Sequence, residues 1–85
     1  MTTRKIRVNL LSGLHARPAS KFVQLAKKFK SVIEVSYNGK KADPKSIIGL
    51  LSLNITRDAV IDITAEGEDE KQAVSALCAY VLVEE

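Results

Sequence analysis

The chain is poor in residues that cross-link, stack or bind metals: it has one cysteine, one histidine and no tryptophan, and aromatics make up 5% of its 85 residues. Cys78 has no partner for an intramolecular disulfide. With the single histidine, His15, 63 positions away, it also argues against a zinc site. Cys78 lies in an apolar helical stretch and reads as a small buried hydrophobe. No apolar run behind the basic N-terminus is long enough for a signal peptide, and residues 73–83 are too few to span a bilayer. No membrane insertion is expected, and the expected location is cytoplasmic. Acids are missing from the first third: none precedes Glu34. No internal repeat or low-complexity segment occurs.

Eighty-five residues suit one domain with one modest core, and 46% hydrophobic with 27% charged residues is ordinary for a globular protein. The net charge of +3 hides a strong asymmetry: residues 1–57 carry twelve Lys/Arg against two acids, and residues 58–85 one Lys against eight. His15 therefore sits in an electropositive half that attracts anions or acidic protein faces.

Residues 4–10 alternate, with Ile6, Val8 and Leu10 on one side, as a half-buried strand does. Over residues 18–29, Ala19, Phe22, Val23, Ala26 and Phe29 recur at helical spacing, with Pro18 in the first turn. Residues 32–37 and 40–43 flank Asn38-Gly39, the pair a type I′ hairpin turn demands. After Asp43-Pro44-Lys45, Ser46 is placed to cap a short helix over residues 47–53. Residues 59–66 alternate again and end at Gly67. Asp69 and Gln72 have capping-box spacing ahead of a last helix striped by Ala73, Val74, Leu77, Cys78 and Val81. The order βαββαβα implies an α+β layer, sheet on one side and helices on the other. Pattern alone leaves the strand order open.

The chemistry is expected at the strand-to-helix junction Ser12-Gly13-Leu14-His15-Ala16-Arg17-Pro18. A helix start offers free backbone N–H groups, here those of Ala16 and Arg17, and the positive end of the macrodipole, both favourable to an anion. Arg17 adds a guanidinium suited to phosphate oxygens. An imidazole is partly uncharged near neutral pH, so His15 could attack a phosphoryl donor without a separate base and form a labile N–P bond. An isolated surface histidine is usually unremarkable; here the combination of Gly13, His15, Arg17 and Pro18 gives the reading its weight. The second helix supplies another clue, because Ile47, Ile48, Leu50, Leu51 and Leu53 cover an arc of ~220°, wider than one core contact needs. Ile47, Ile48 and Leu51 are therefore candidates for an exposed docking patch, with complete burial between layers as the alternative. Ser46 is first a cap, but a phosphate there would sit well at the helix start and recharge the patch.

Two other classes compete. A basic βαββαβ chain suggests an RNA-binding module, but such modules stack bases on strand aromatics, and here only Tyr37 is on a strand, so no nucleic acid is expected. A small phosphate hydrolase would need a distinct general base near His15, which the sequence does not offer.

Together these motifs resemble those of the HPr family, the histidine-containing phosphocarriers of the bacterial phosphoenolpyruvate-dependent sugar phosphotransferase system. Gly13-Leu14-His15-Ala16-Arg17-Pro18-Ala19 is similar to the family's active-site motif, and Lys45-Ser46-Ile47-Ile48-Gly49-Leu50-Leu51-Ser52-Leu53 to its regulatory serine segment; the likeness covers essentially all residues, one HPr-like domain over 1–85. The resemblance implies an open-faced β-sandwich, a four-stranded antiparallel sheet of order 1-4-2-3 covered on one face by three helices. It implies that His15 takes a phosphoryl group from enzyme I and yields it to enzyme IIA domains, with Arg17 assisting, no cofactor and a monomeric carrier. It further implies modification of Ser46 by HPr kinase/phosphorylase, binding of that form to the catabolite control protein, and a docking patch of Leu14, Ile47, Ile48 and Leu51. Asn54 and Asp58 stand where relatives usually carry glycine, both at positions where positive φ is expected. Ile48 and Leu51 replace frequent methionines and stiffen the patch. The C-terminal segment is also similar to that of Crh, a regulatory paralogue lacking the active-site histidine. A Crh-like role through phospho-Ser46 is thus the alternative, and His15 argues for the carrier.

Overall fold

A computed structural model describes residues 1–11 and 13–82. Ser12, at the head of the junction, and Val83, at the end of the apolar C-terminal stretch, lie outside the described residues, as do residues 84–85. The elements are β1 (Thr2–Arg7), α1 (Ala16–Ala26), β2 (Val32–Tyr37), β3 (Lys40–Ala42), α2 (Ile47–Leu51), β4 (Val60–Glu66) and α3 (Glu70–Leu82). The four strands form one antiparallel sheet in the order β1-β4-β2-β3, with Ile6 opposite Ile61 and Val35 opposite Ile63.

Alternation decides which face is covered. Ile33, Val35, Ile61, Ile63 and Ala65 point into one buried cluster with Phe22, Leu50, Ile55 and Leu77. In the opposite phase lie the cross-strand pairs Lys5–Asp62 (3.6 Å) and Lys41–Glu34 (3.9 Å), on the face left open to solvent. α3 packs over β1 and β4, and α1 packs against both α2 and α3. Asn38 (φ 55°) and Gly39 (φ 80°) both take the left-handed conformation of the predicted hairpin turn. Cys78 is 1% exposed and burial pushes its thiol pKa up, as suits a core residue. No helix among the described residues is long and apolar enough to cross a membrane.

Element ends differ from the sequence reading for local reasons. β1 ends at Arg7, although Val8 and Leu10 remain fully buried. Asp58, at φ 70°, bends the partner chain while its N–H donates to the Val8 carbonyl (2.8 Å), and the Asn9 N–H turns to the Val81 carbonyl (2.7 Å). α1 begins two residues before Pro18, whose missing N–H would lack a helical partner at this third position anyway. It ends before Phe29, which packs half-buried against the core from the following loop. The predicted Asp69/Gln72 capping box does not form. The Asp69 carboxylate instead accepts from the Lys30 and Ser31 N–H groups and the Ser31 hydroxyl, bonds that hold its pKa down, the hydroxyl most of all. Glu70 makes the reach-back, accepting from the Gly67 N–H at 3.2 Å.

Glu70 also accepts from the Thr2 hydroxyl (2.5 Å) and faces the N-terminal ammonium (3.0 Å). The hydroxyl first, and the ammonium second, lower its pKa from 4.5 to about 2. A carboxyl depressed in the folded state stabilises it above the unfolded pKa, and that stability is lost as pH falls through the folded value. Wild-type protein should therefore lose stability between pH 4.5 and about 2 that Glu70→Gln lacks. Urea midpoints at pH 6, 3 and 2 read the difference; parallel decline of the two proteins would disprove this role.

Candidate functional site

The site begins with an unusually close backbone contact. Gly13 sits at φ 66° with its α-carbon pressed on the loop after α2: a β-carbon there would overlap the Ile55 carbonyl oxygen and lie 2.7 Å from the Thr56 α-carbon. The next N–H, that of Leu14, donates to the same Ile55 carbonyl at 3.0 Å. This latch turns the Leu14 side chain inward, where it is 1% exposed. Leu14 is thus a core residue and not part of a docking surface, a correction to the expectation from the motif. Burying it anchors the next residue.

That residue, His15, caps α1 with extended backbone (φ −93°, ψ −175°), and its carbonyl accepts from the Ala19 N–H at 2.7 Å. Its side chain makes no cap bond. The imidazole is exposed and hydrogen-bonded to no side chain or backbone group among the described residues. Ala16 and Arg17 follow in the first turn, both exposed, and their N–H groups have no partner among the described residues. Pro18 contributes no N–H, so two amide donors remain for an anion at this end. Arg17, Lys21, Lys27 and Lys28 are exposed along α1 and its C-terminal end, and α1 contains no acid. Two shallow hollows lie along β2, lined by Val32 and Glu34 with Lys41 or Thr64, and neither includes His15. An open helix start of this kind suits an approaching protein surface more than an engulfed small molecule.

The second segment lies beside the first, since α2 packs on α1 and the loop leaving α2 carries Ile55. Ser46 is exposed and caps α2, its hydroxyl oxygen accepting from the Gly49 N–H at 3.4 Å. α2 divides its apolar residues: Leu50 is buried, while Ile47, Ile48 and Leu51 are 37%, 79% and 37% exposed. The complete-burial alternative is therefore not what the fold adopts. α2 itself is shorter than residues 47–53, because Asn54 at φ 52° turns the chain so that Leu53 is buried and Ile55 reaches Gly13.

Two supporting residues were not singled out from the sequence. Lys45 donates its ammonium to the carbonyls of Phe29 (3.0 Å) and Ser31 (2.8 Å), strapping the segment before Ser46 to the loop after α1. Tyr80 donates its hydroxyl to the Pro18 carbonyl at 3.0 Å. All three bonds join residues distant in sequence, so no local pattern announces them.

An accessible ring nitrogen, two amide donors and a guanidinium can together receive a phosphoryl group. Comparison with known proteins gives the family. The family described as PTS HPr component phosphorylation site matches residues 2–82. The chain is 47% identical over 77 residues, 91% of each chain, to phosphocarrier protein HPr of Buchnera aphidicola. It is 44% identical to the crystal structure of phosphocarrier protein HPr from Bacillus anthracis, with a TM-score of 0.93 over 94% of this chain and 95% of that one. It is likewise 44% identical over 81 residues, 95% of each chain, to the HPr-like protein Crh of Bacillus subtilis. A crystal structure of Crh, described as a dimer with a swapped domain, superposes with a TM-score of 0.76 over 95% of this chain and 93% of that one. With a family match over nearly the whole chain and a fold that superposes closely on these relatives, the chain belongs to the HPr family of phosphotransferase-system phosphocarriers.

Proposed function

We propose that this protein, a single HPr-like domain, carries a phosphoryl group on the His15 ring from enzyme I to enzyme IIA domains during phosphoenolpyruvate-dependent sugar uptake. The unbonded, exposed imidazole at the start of α1 is the observation that carries the reading. In the forward step a ring nitrogen forms a bond to phosphorus as the bond to enzyme I breaks, and the second transfer reverses these roles toward the IIA domain. Ala16 and Arg17 N–H groups and the Arg17 guanidinium stabilise the charge on the moving group. All of these belong to one chain, and in this proposal the carrier works as a monomer, in the cytoplasm, with no cofactor. Ile47, Ile48 and Leu51 form the apolar centre of the partner-binding surface, and the basic face of α1 forms its rim.

Incubation with phosphoenolpyruvate and a bacterial enzyme I should add one acid-labile phosphoryl group by intact mass, and an added IIA domain should remove it. A protein that gains no mass from enzyme I would rule the carrier role out and leave the Crh-like reading, to which the 44% identity with Crh gives support.

In this proposal Ser46 is the control point, modified by HPr kinase/phosphorylase, after which the protein binds the catabolite control protein. A dianion at Ser46 would place charge beside Ile47 and Ile48 without disturbing the core, since Ser46 is exposed. Ser46→Asp should lower kcat/KM for uptake from enzyme I by about tenfold with the melting temperature nearly unchanged. Equal uptake by Ser46→Asp and wild type would remove the coupling between the two sites.

A further inference from the structure

The Tyr80 hydroxyl donates to the Pro18 carbonyl at 3.0 Å, across the gap between α3 and the first turn of α1. Its ring is held from behind, 6.0 Å from the Phe22 ring and tilted by 47°, and Phe22 is fully buried. The hydroxyl therefore reaches the helix start from a fixed base in the core. The first turn is lightly braced from within: it has no acidic residue and no side-chain cap from His15, and Pro18 has no N–H. On its other side the Leu14 N–H to Ile55 carbonyl bond fixes only the chain before His15.

We infer that Tyr80 is a positioning residue for phosphoryl transfer, a tether from α3 that holds the first turn of α1 so that the Ala16 and Arg17 donors are aimed before the phosphoryl group arrives. The inference rests on the carrier reading above. Donors already in place need no reorganisation during transfer, whereas a turn free to shift must be ordered each time.

Tyr80→Phe tests this, because it keeps the ring on Phe22 and removes only the hydroxyl. The kcat for uptake from phosphorylated enzyme I should fall about three- to tenfold. KM should stay within about twofold, because the Ile47, Ile48 and Leu51 surface is untouched. Amide exchange at Ala19, whose N–H bonds to the His15 carbonyl, should accelerate, while that at Val23 in the next turn should not. An unchanged kcat, or a loss confined to KM, overturns the tether while leaving the carrier reading standing. Failure of wild-type protein to accept a phosphoryl group overturns both.

Discussion

Gly13→Ala should lower the unfolding free energy by about 3 kcal/mol, left-handed strain of roughly 1–2 kcal/mol adding to a comparable overpacking cost. For a domain of this size that is roughly 12–24 °C in Tm. The overpacking follows from geometry: the new β-carbon would overlap the Ile55 carbonyl oxygen and crowd Thr56, both backbone of the loop after α2. Backbone cannot swing aside as a flexible side chain can, so the Gly13 and Ile55 segments must separate. Separation strains the Leu14 N–H to Ile55 carbonyl bond and moves His15 with it. Gly39 is the control. It is also left-handed, at φ 80°, but a β-carbon there would meet nothing within 4 Å. Gly39→Ala should cost only the strain, roughly 1–2 kcal/mol. Chemical denaturation of the two variants separates the contributions. If both lose the same stability, the close approach beneath His15 has been given too much importance.

Arg17→Ala should slow phosphoryl transfer by about 10²-fold, the scale for losing one preorganised donor of charge stabilisation. Stability should barely change, because Arg17 is exposed and makes no ion pair among the described residues. Arg17→Lys should recover only part of the rate, since an ammonium supplies charge without the planar fork that matches two phosphoryl oxygens. Single-turnover uptake from phosphorylated enzyme I reads the chemical step. A rate within threefold of wild type for Arg17→Ala would assign that charge stabilisation elsewhere. Such a result would leave the two amides as the donors.

Much of this arrangement is legible in the sequence because it is local. Alternation in β2 and β4, the Asn38-Gly39 turn, the Ala19, Phe22, Val23 and Ala26 stripe of α1 and the Ser46 cap each depend on neighbours within a few residues, and all appear in the fold. So do the positive φ angles at Asn54 and Asp58. The sheet order became available only through the family resemblance, because pattern does not say which strands pair. Long-range bonds account for the misreadings. Leu14 follows a strand and precedes an exposed helix start, so nothing local shows that Gly13 and Ile55 will turn it inward. Asp69 has capping spacing, yet its carboxylate satisfies a loop 38 residues away. Tyr80 and Lys45 escaped notice for the same reason: each acts on a carbonyl at least 14 positions distant.

The sharpest test of a phosphoryl group carried on imidazole nitrogen compares wild type with His15→Ala, each incubated with phosphoenolpyruvate and enzyme I and weighed intact. The account predicts one phosphoryl mass increment, removed by mild acid, on wild type and none on His15→Ala, with the two proteins equally folded. An equal increment on both, or one on wild type that survives acid, would contradict it.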